Sequence, residues 1–403
     1  MSGATLIYAE MKKPFHVGLN LIFLVPGETG GMETYARELI EALVCEAPHV
    51  AFTAFINREA AAAGNGPWCD LIPSVTVPVA ARNRLDWVRG EQQLLPLLAR
   101  KAGVHVMHSL ASTAPIWGAF RRVTTIHDLH YRICPETHST IRGIGMRLLV
   151  PLAAARSHRI ISDSANTAND LVRLLKIPEE KIDIVPLGVG AKAVFDPISE
   201  SQIRAQLDLG GRRIALTLSA KRPHKNLMRL LEALAFIPRV DRPVLILPGY
   251  PTRHENELKQ RAIELAIQDD TRFLGWIDAA WREGLYRAAS LFVFPSLYEG
   301  FGLPVLEAMT RSVPVACSNR GALCEVAGNA ALVFDPEDPR GIATAMKRLL
   351  NQPEEADCLC RAGRMQASKF TWQATARQTL AVYRCAFQLE PACALDVCPA
   401  CTR

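Results

Sequence analysis

One stretch, residues 291–309 (LFVFPSLYEGFGLPVLEAM), restricts the possible fold more than any other part of the chain. Leu291–Phe294 is a short apolar run, typical of a strand buried on both faces. The turn Glu299–Gly302 contains two glycines that can adopt positive φ. Pro304 marks the predicted first position of a helix. This succession leaves backbone N–H groups unpaired at the carboxyl end of a sheet, which predicts an anion site there.

Two carboxylates flank this turn. Glu299 lies in the turn and Glu307, eight residues later, lies early in the predicted helix, so both can face one crevice. Carboxylates repel phosphate but accept hydrogen bonds from hydroxyl groups, which favours sugar or ribose as their partner. The alternative is that Glu307 only complements the helix dipole and that Glu299 is a solvated loop residue.

Apolar runs alternate with helical patterns along the whole chain, which predicts an α/β protein. Strands are predicted over residues 16–25, 50–56, 104–109, 122–127, 159–164 and 181–189, and then over 213–219, 244–247, 271–274 and 288–297. Two successive βαβ series imply two parallel sheets with a cleft between them. The stretch 186–197 carries proline and glycine and is typical of a linker. We therefore expect one domain over residues 1–189 and a second over residues 190–370.

The first strand is followed by a glycine turn, Gly30–Gly31, that opens a helix. Backbone N–H groups at such a helix start suit a diphosphate. The chain contains neither G-x-G-x-x-G at this turn nor G-x-x-x-x-G-K-[ST]. These absences disfavour a dinucleotide site and a P-loop.

Two further groups of residues follow predicted strands. Lys221, Arg222 and Lys225 form a basic turn suited to a diphosphate, unless the turn is merely exposed. His127, followed by Asp128, ends a strand at the edge where open α/β sheets bind ligands. The alternative is a capping or core His–Asp pair.

Together, these sequence motifs resemble those of the group 1, family-4-type glycosyltransferases, which are retaining enzymes of the GT-B fold. Glu299 and Glu307 match the E-x7-E signature, residues 30–35 resemble the first glycine loop, and His127–Asp128 resembles the His–Asp motif. Ser219–Ala220 stands where the family has Gly-Arg, so Arg222 or Lys221 must take that arginine's role or the role is absent. The resemblance covers about residues 16–388 and is greatest to bacterial mannosyl- and hexosyltransferases of polysaccharide synthesis.

The resemblance implies two Rossmann-like domains whose parallel sheets face a central cleft. The first domain would bind the acceptor and the second a nucleotide sugar, and a closing helix over residues 371–388 would cross back to the first domain. His127, Lys225 and Glu299 would be catalytic, and Asp128, Arg84 and Trp87 would lie on the acceptor side. The donor would contact the remaining matched positions: Gly30, Gly31, Arg222, Gly300, Phe301, Gly302, Leu303 and Glu307.

The expected reaction transfers a hexose to a glycan or lipid-linked glycan with retention of configuration, by front-face attack. Likeness to transferases of O-antigen and exopolysaccharide type leans toward GDP-mannose as the donor. No Asp-x-Asp pair occurs, so we expect neither a metal nor another cofactor. The alternatives are a sugar-nucleotide binder without transferase activity, and a phosphorylase or epimerase of the same fold.

Composition limits the partners and the compartment. A net charge of +6 over 403 residues suits anionic nucleotides or lipid headgroups and does not call for nucleic acid. Eleven irregularly spaced cysteines and an N-terminus without an apolar leader predict a cytoplasmic protein. The basic, leucine-bearing segments 82–89 and 142–159 suit either an anionic membrane surface or half-buried helices. The tail, residues 389–403, has one C-x-x-C and is expected to be frayed rather than a zinc site.

Overall fold

The computed structural model describes residues 15–134, 141–190 and 196–388, with the side chains of residues 141–144 excepted. The predicted tail with its three cysteines lies outside these ranges. The described residues form two parallel sheets flanked by helices, so the predicted α/β class with two Rossmann-like domains is confirmed.

The first sheet has seven strands in the order β3-β2-β1-β4-β5-β6-β7, all parallel. The strands are β1 His16–Leu21, β2 Ala51–Ile56, β3 Ser74–Thr76, β4 Val106–Ser109, β5 Arg121–Ile126, β6 Arg159–Ser162 and β7 Ile182–Ile184. The direction of winding reverses between β1 and β4, and open sheets bind ligands beyond the carboxyl ends of the strands at such a point.

The second sheet has six parallel strands in the order β10-β9-β8-β11-β12-β13. The strands are β8 Ile214–Leu216, β9 Val244–Leu247, β10 Thr271–Phe273, β11 Leu291–Phe294, β12 Val315–Ser318 and β13 Leu332–Phe334. Its switch point lies between β8 and β11. β11 is fully buried, as its uninterrupted apolar run predicts.

The helices cover both faces of the sheets. They are α1 Gly31–Glu46, α2 Arg58–Ala63, α3 Pro67–Asp70, α4 Arg84–Arg89, α5 Leu95–Ala102, α6 His130–Ile133, α7 Ile141–Arg156, α8 Ala165–Leu175, α9 Glu200–Gln206, α10 Leu227–Ala235, α11 His254–Glu264, α12 Ala279–Ala288, α13 Leu303–Thr310, α14 Leu323–Ala327, α15 Pro339–Asn351, α16 Pro353–Ala367 and α17 Trp372–Gln388. A π-helical turn, Gly90–Leu94, joins α4 to α5, and short 3-10 turns cover Glu179–Lys181, Pro223–Lys225 and Gln268–Asp270.

The last helix, α17, follows the second domain in sequence but packs on the first. The Tyr383 hydroxyl lies 2.7 Å from Nδ1 of His108 at β4. The Phe387 ring meets that of Phe15 edge-on, with centroids 5.2 Å apart. α17 therefore ties the end of the described chain to the first sheet.

Two local expectations need correction. The helix after the central turn begins at Leu303, so Pro304 is its second residue, where the missing N–H still costs no hydrogen bond. Strands β3, β12 and β13 are three or four residues long and carry little periodic signal, so they were not predicted. Among the described helices, none is both long and apolar enough to span a membrane.

Candidate active site

The turn between β11 and α13 owes its shape to two glycines, for different reasons. Gly302 precedes α13 with φ 113°, a conformation that L side chains rarely adopt. Gly300 does not have positive φ; instead, a Cβ added there would lie 1.9 Å from the carbonyl oxygen of His127. Since His127 belongs to the first domain, Gly300 permits the two domains to touch at this turn.

Lys225 and Glu299 form an ion pair in the second domain. The Lys225 Nζ lies 2.6 Å from Oε1 of Glu299, and both side chains are largely buried. Lys225 lies in the connection after β8 and Glu299 in the connection after β11. The pair therefore lies beyond the two strands that flank the switch point of the second sheet, where ligands bind in such sheets.

Glu307 has a different partner. The Tyr286 hydroxyl of α12 donates a hydrogen bond of 2.9 Å to Oε2 of Glu307. Burial, the Glu307 charge and this hydrogen bond raise the pKa of Tyr286 well above its ordinary value, so the hydroxyl remains a donor. Tyr286 thus fixes one carboxylate oxygen of Glu307.

The basic turn separates into a structural and an exposed residue. Lys221 is fully buried, and its Nζ donates to the carbonyl oxygens of Gly249 (2.8 Å) and Leu274 (2.6 Å). Its ammonium joins the ends of β9 and β10 and is not directed to a ligand. Arg222 is exposed, so its guanidinium can reach a diphosphate, whereas the Lys221 ammonium cannot.

His127 follows β5 and is held between two acceptors. Its Nδ1 lies 2.7 Å from Oδ2 of Asp163, and its Nε2 lies 2.9 Å from the carbonyl oxygen of Leu110. Burial alone would lower the pKa of the ring, but the charge and hydrogen bond of Asp163 and the Leu110 carbonyl outweigh it and raise the pKa. A ring with both nitrogens protonated satisfies both contacts, so this geometry favours the imidazolium.

Three more contacts join the domains beside His127. Ser164 Oγ donates to the carbonyl oxygen of Gly300 at 2.6 Å. The Tyr298 hydroxyl donates to Oδ2 of Asp170 in α8 at 3.0 Å. Both carboxylate oxygens of Glu325 accept from the Ala165 N–H, at 3.0 Å each, at the start of α8. An acid at a helix N-terminus complements the helix dipole, so this contact stabilises the observed arrangement of the two domains.

The first glycine turn lies on the opposite wall of the cleft. Gly30 precedes α1 with φ 62°, and a Cβ on either Gly30 or Gly31 would meet no atom within 4 Å. Space is therefore open next to the N-terminus of α1. The Tyr250 hydroxyl of the second domain donates to the carbonyl oxygen of Gly27 in the same turn, and this contact closes the cleft on that side.

Three other predicted residues occupy defined places. The Phe301 ring packs edge-on against Phe370 with centroids 5.8 Å apart, so its backbone rather than its ring can meet a donor. Leu303 is half-buried as the first residue of α13. Asp128 accepts from the His130 N–H at 2.9 Å and thereby shapes the turn into α6.

The two remaining acceptor-side residues, Arg84 and Trp87, both lie in α4. Arg84 is exposed at the first position of the helix. The Trp87 side chain is 8% exposed and belongs to a core cluster, so its ring offers no free face for stacking on a sugar.

The structure also adds four residues that were not among the predicted site residues: Asp163, Tyr286, Tyr298 and Glu325. Asp163 lies near the end of the strand predicted over residues 159–164, and that position was its only signal. The other three lack one, because their partners are 21 to 160 residues away.

Comparison with known proteins identifies the class that this fold and site define. The family described as "Glycosyl transferases group 1" matches residues 199–366, and "Glycosyltransferase Family 4" matches residues 29–192. O-antigen chain mannosyltransferase B of Escherichia coli is 33% identical over 269 residues, which is 66% of this chain and 70% of that protein. A D-inositol 3-phosphate glycosyltransferase of Frankia alni is 30% identical over 92% of this chain and 86% of its own length.

A solved structure agrees on the fold. Sucrose-phosphate synthase from Thermosynechococcus elongatus superposes with a TM-score of 0.74 at 24% identity, covering 93% of this chain and 99% of that one. The chain belongs to the group 1 glycosyltransferases with the GT-B fold. It is a hexosyltransferase.

Proposed function

We propose that this enzyme transfers mannose from GDP-mannose to a hydroxyl of a growing glycan or lipid-linked glycan, with retention of configuration. One observation carries the proposal: Glu299, paired with Lys225, directly precedes Gly300, whose backbone closely approaches the His127 carbonyl of the other domain. A sugar bound in this cleft has a cation for its phosphates, a carboxylate for its hydroxyls and an acceptor-side histidine. The choice of mannose is supported by the similarity to the E. coli mannosyltransferase.

The donor's phosphates are assigned to Lys225, Arg222 and the N-terminus of α13. Lys225 would exchange part of its contact with Glu299 for a phosphate oxygen, because an ammonium has three donors. Glu299 would then accept from sugar hydroxyls. Glu307, fixed by Tyr286, would accept from the ribose hydroxyls. Glycines at the turn allow the phosphates to approach the backbone closely.

In the reaction that we propose, the acceptor oxygen attacks the anomeric carbon from the face that the diphosphate leaves. The anomeric C–O bond to the phosphate breaks as the new C–O bond forms, and a phosphate oxygen takes the proton of the acceptor hydroxyl. Lys225, Arg222 and the N-terminus of α13 stabilise the charge that develops on the diphosphate. No protein nucleophile and no metal take part in this proposal. Within the described ranges, no three His, Cys, Asp or Glu side chains come together as metal ligands.

His127 orients the donor sugar and the acceptor. Its side chain is 16% exposed, and both ring nitrogens have protein acceptors, so it does not act as a general base here. An imidazolium beside the transferred sugar adds positive charge opposite the leaving diphosphate. Its Nε2–H can be shared between the Leu110 carbonyl and a sugar oxygen.

The acceptor assignment includes contact with a membrane. Leu148 and Leu152 of α7 are exposed, 69% and 40%, in a helix that also carries Arg147 and Arg156. Apolar side chains beside basic ones suit the surface of an anionic bilayer. In this proposal the enzyme is cytoplasmic and contacts the inner face of the cell membrane. Co-sedimentation with phosphatidylglycerol vesicles but not with phosphatidylcholine vesicles tests this; no difference would contradict it.

The donor assignment is tested first by thermal stabilisation with GDP, UDP, dTDP and ADP, each with and without EDTA. A ligand that binds only the native state raises Tm according to its affinity. We expect stabilisation by GDP that EDTA does not remove. Stabilisation by another nucleotide instead would mean that the donor carries that nucleotide's base and not guanine. Loss of the effect in EDTA would show that a metal takes part.

Transfer itself is tested with GDP-mannose and p-nitrophenyl α-mannoside as the acceptor probe, by release of GDP and by NMR of the product. An α-linked product would support retention, and a β-linked product would refute it. Glu307→Ala should lower the affinity for GDP, whereas Glu337→Ala, an exposed control, should not. Binding of GDP without transfer to any mannoside would favour the alternative of a silent sugar-nucleotide binder.

A further inference from the structure

The π-helical turn Gly90–Leu94, between α4 and α5, places the acidic residue Glu91 in the interior of the first domain. A Cβ added to Gly90 would lie 2.8 Å from Cγ2 of Val79, so the turn packs closely on the neighbouring segment. The next residue, Glu91, is only 1% exposed. π turns interrupt helices rarely and are frequent at functional sites.

The Glu91 carboxylate is held by three uncharged donors. Asn20 Nδ2 donates to Oε1 at 3.1 Å, Thr113 Oγ1 donates to Oε1 at 3.0 Å, and Gln92 Nε2 donates to Oε2 at 3.2 Å. These groups come from β1, from the β4–β5 connection and from the turn itself. Burial raises the pKa of Glu91 to about 7, although the three hydrogen bonds oppose the shift. Burial of a carboxylate costs free energy unless the group is hydrogen-bonded, and these three donors supply the hydrogen bonds that Glu91 needs.

The network lies at the switch point of the first sheet. Asn20 Nδ2 also donates to Oγ of Ser109 at 3.1 Å, which joins the carboxyl ends of β1 and β4. Ser109 is followed by Leu110, whose carbonyl oxygen accepts from Nε2 of His127 at 2.9 Å. Glu91 is therefore linked to the ring of His127 through one amide, one hydroxyl and one peptide unit.

Gln92 holds the rest of the same connection. Its Nε2 donates to the carbonyl oxygen of Ala114 at 3.1 Å, and its Oε1 accepts from the Ile116 N–H at 3.1 Å. The Trp117 indole N–H donates in turn to the carbonyl oxygen of Gln92. The turn thus fixes the β4–β5 connection from Thr113 to Trp117, at the edge of the sheet that faces the cleft.

We propose that Glu91 is a positioning residue for the acceptor side of the transfer site: it anchors the β4–β5 connection so that the Leu110 carbonyl sets the orientation of the His127 ring. This inference rests on the proposed function for its kinetic consequences. Ionised Glu91 is the competent form, because a neutral carboxyl offers an O–H to donors that already point at it. Protonation therefore loosens the connection and displaces His127.

The expected signature is an acidic limb in the pH profile of kcat/KM for the acceptor, because activity rises as Glu91 ionises. Glu91→Gln keeps the shape of the side chain but not its charge. The pH profile of this variant should therefore lack the acidic limb, and its kcat/KM should remain low at every pH. A loss of about 10- to 100-fold is expected, the scale for a reactant misplaced by about 1 Å. Thr113→Val removes a hydrogen bond to the ionised form and should move the limb to higher pH. Gln93→Ala, an exposed neighbour, serves as the control.

The experiment measures GDP release with p-nitrophenyl α-mannoside as the probe, together with the ¹⁵N chemical shifts of the His127 ring, assigned with His127→Gln. In Glu91→Gln we expect a raised acceptor KM, a flat acidic limb and altered His127 shifts, with unchanged GDP affinity. Unaltered His127 shifts, or a wild-type profile in both Glu91→Gln and Thr113→Val, would overturn the proposal. If wild-type protein transfers to no mannoside, the proposed function fails, but the His127 shifts still decide the positioning role.

Discussion

The Lys225 ammonium lies 2.6 Å from the Glu299 carboxylate, across the switch point of the second sheet. Each group offers its partner what a nucleotide sugar also provides: an anion for the lysine and a hydrogen-bond donor for the glutamate. In the proposed function, the pair therefore holds both side chains in place before the donor binds. Groups that are fixed before the reaction need little rearrangement when charge develops on the diphosphate.

Removal of the ammonium should affect the chemical step more than binding. We expect Lys225→Ala to lower kcat by about 100-fold, because one preorganised group that stabilises the developing charge is lost. Steady-state kinetics with GDP-mannose check this, and Lys101→Ala, at an exposed site in α5, is the control. A near-normal kcat in Lys225→Ala would reject a role in leaving-group stabilisation.

Gly300 provides a test of the contact between the domains at the site. Gly300→Ala would place Cβ 1.9 Å from the His127 carbonyl oxygen, so the turn and His127 must move apart. We expect kcat/KM to fall by about 100-fold, the scale for a displacement of about 1 Å, while the fold is retained. Gly211→Ala is the matched control, because a Cβ there meets no atom within 4 Å. Equal activities of the two variants would show that the close approach has no role.

The sequence predicted those features that depend on neighbouring residues. β11 appears at the predicted residues because an apolar run between turn signals is a local pattern. Lys225 and Glu299 were both named, yet their ion pair joins residues 74 apart in the sequence and has no local signal. The same is true of Glu325 and the start of α8, which are 160 residues apart. Trp87, named for the acceptor side, lies in a core cluster, and a tryptophan beside arginines is equally compatible with a core and with a sugar-binding surface.

Glu325 of α14 should help to hold the cleft closed, because its carboxylate contacts the N-terminus of α8 in the other domain. Glu325→Gln removes the negative charge that complements the helix dipole, an interaction of about 1 kcal/mol, or roughly 5-fold in an equilibrium constant. We expect kcat/KM to fall by that factor and small-angle scattering to show a more open molecule. Glu337→Gln removes an acid that is also exposed and that pairs with Arg320, and it should change neither quantity. A closed, fully active Glu325→Gln would contradict the assignment.

His108 should make the fold sensitive to acid. Its Nδ1 lies 2.7 Å from the Tyr383 hydroxyl and its Nε2 lies 2.7 Å from the Thr125 hydroxyl, both deep in the interior. Burial and the nearby charge of His127 lower the pKa of His108 to about 3 from its ordinary value of 6.5. Between these values the unfolded chain binds the proton and the folded protein does not, so stability falls as pH decreases from 6.5 toward 3.

His108→Gln keeps a polar group at this position but cannot titrate. We expect it to be less stable than the wild type at pH 7.5, because its hydrogen bonds to Tyr383 and Thr125 are less well matched. The difference in the free energy of unfolding should shrink as pH falls through 6.5, because the wild type takes up about one proton more on unfolding than His108→Gln does. Urea unfolding of both proteins from pH 7.5 to 4.5 measures this, and the other titrating groups cancel in the comparison. Parallel stability curves would mean that His108 is not held neutral in the folded protein.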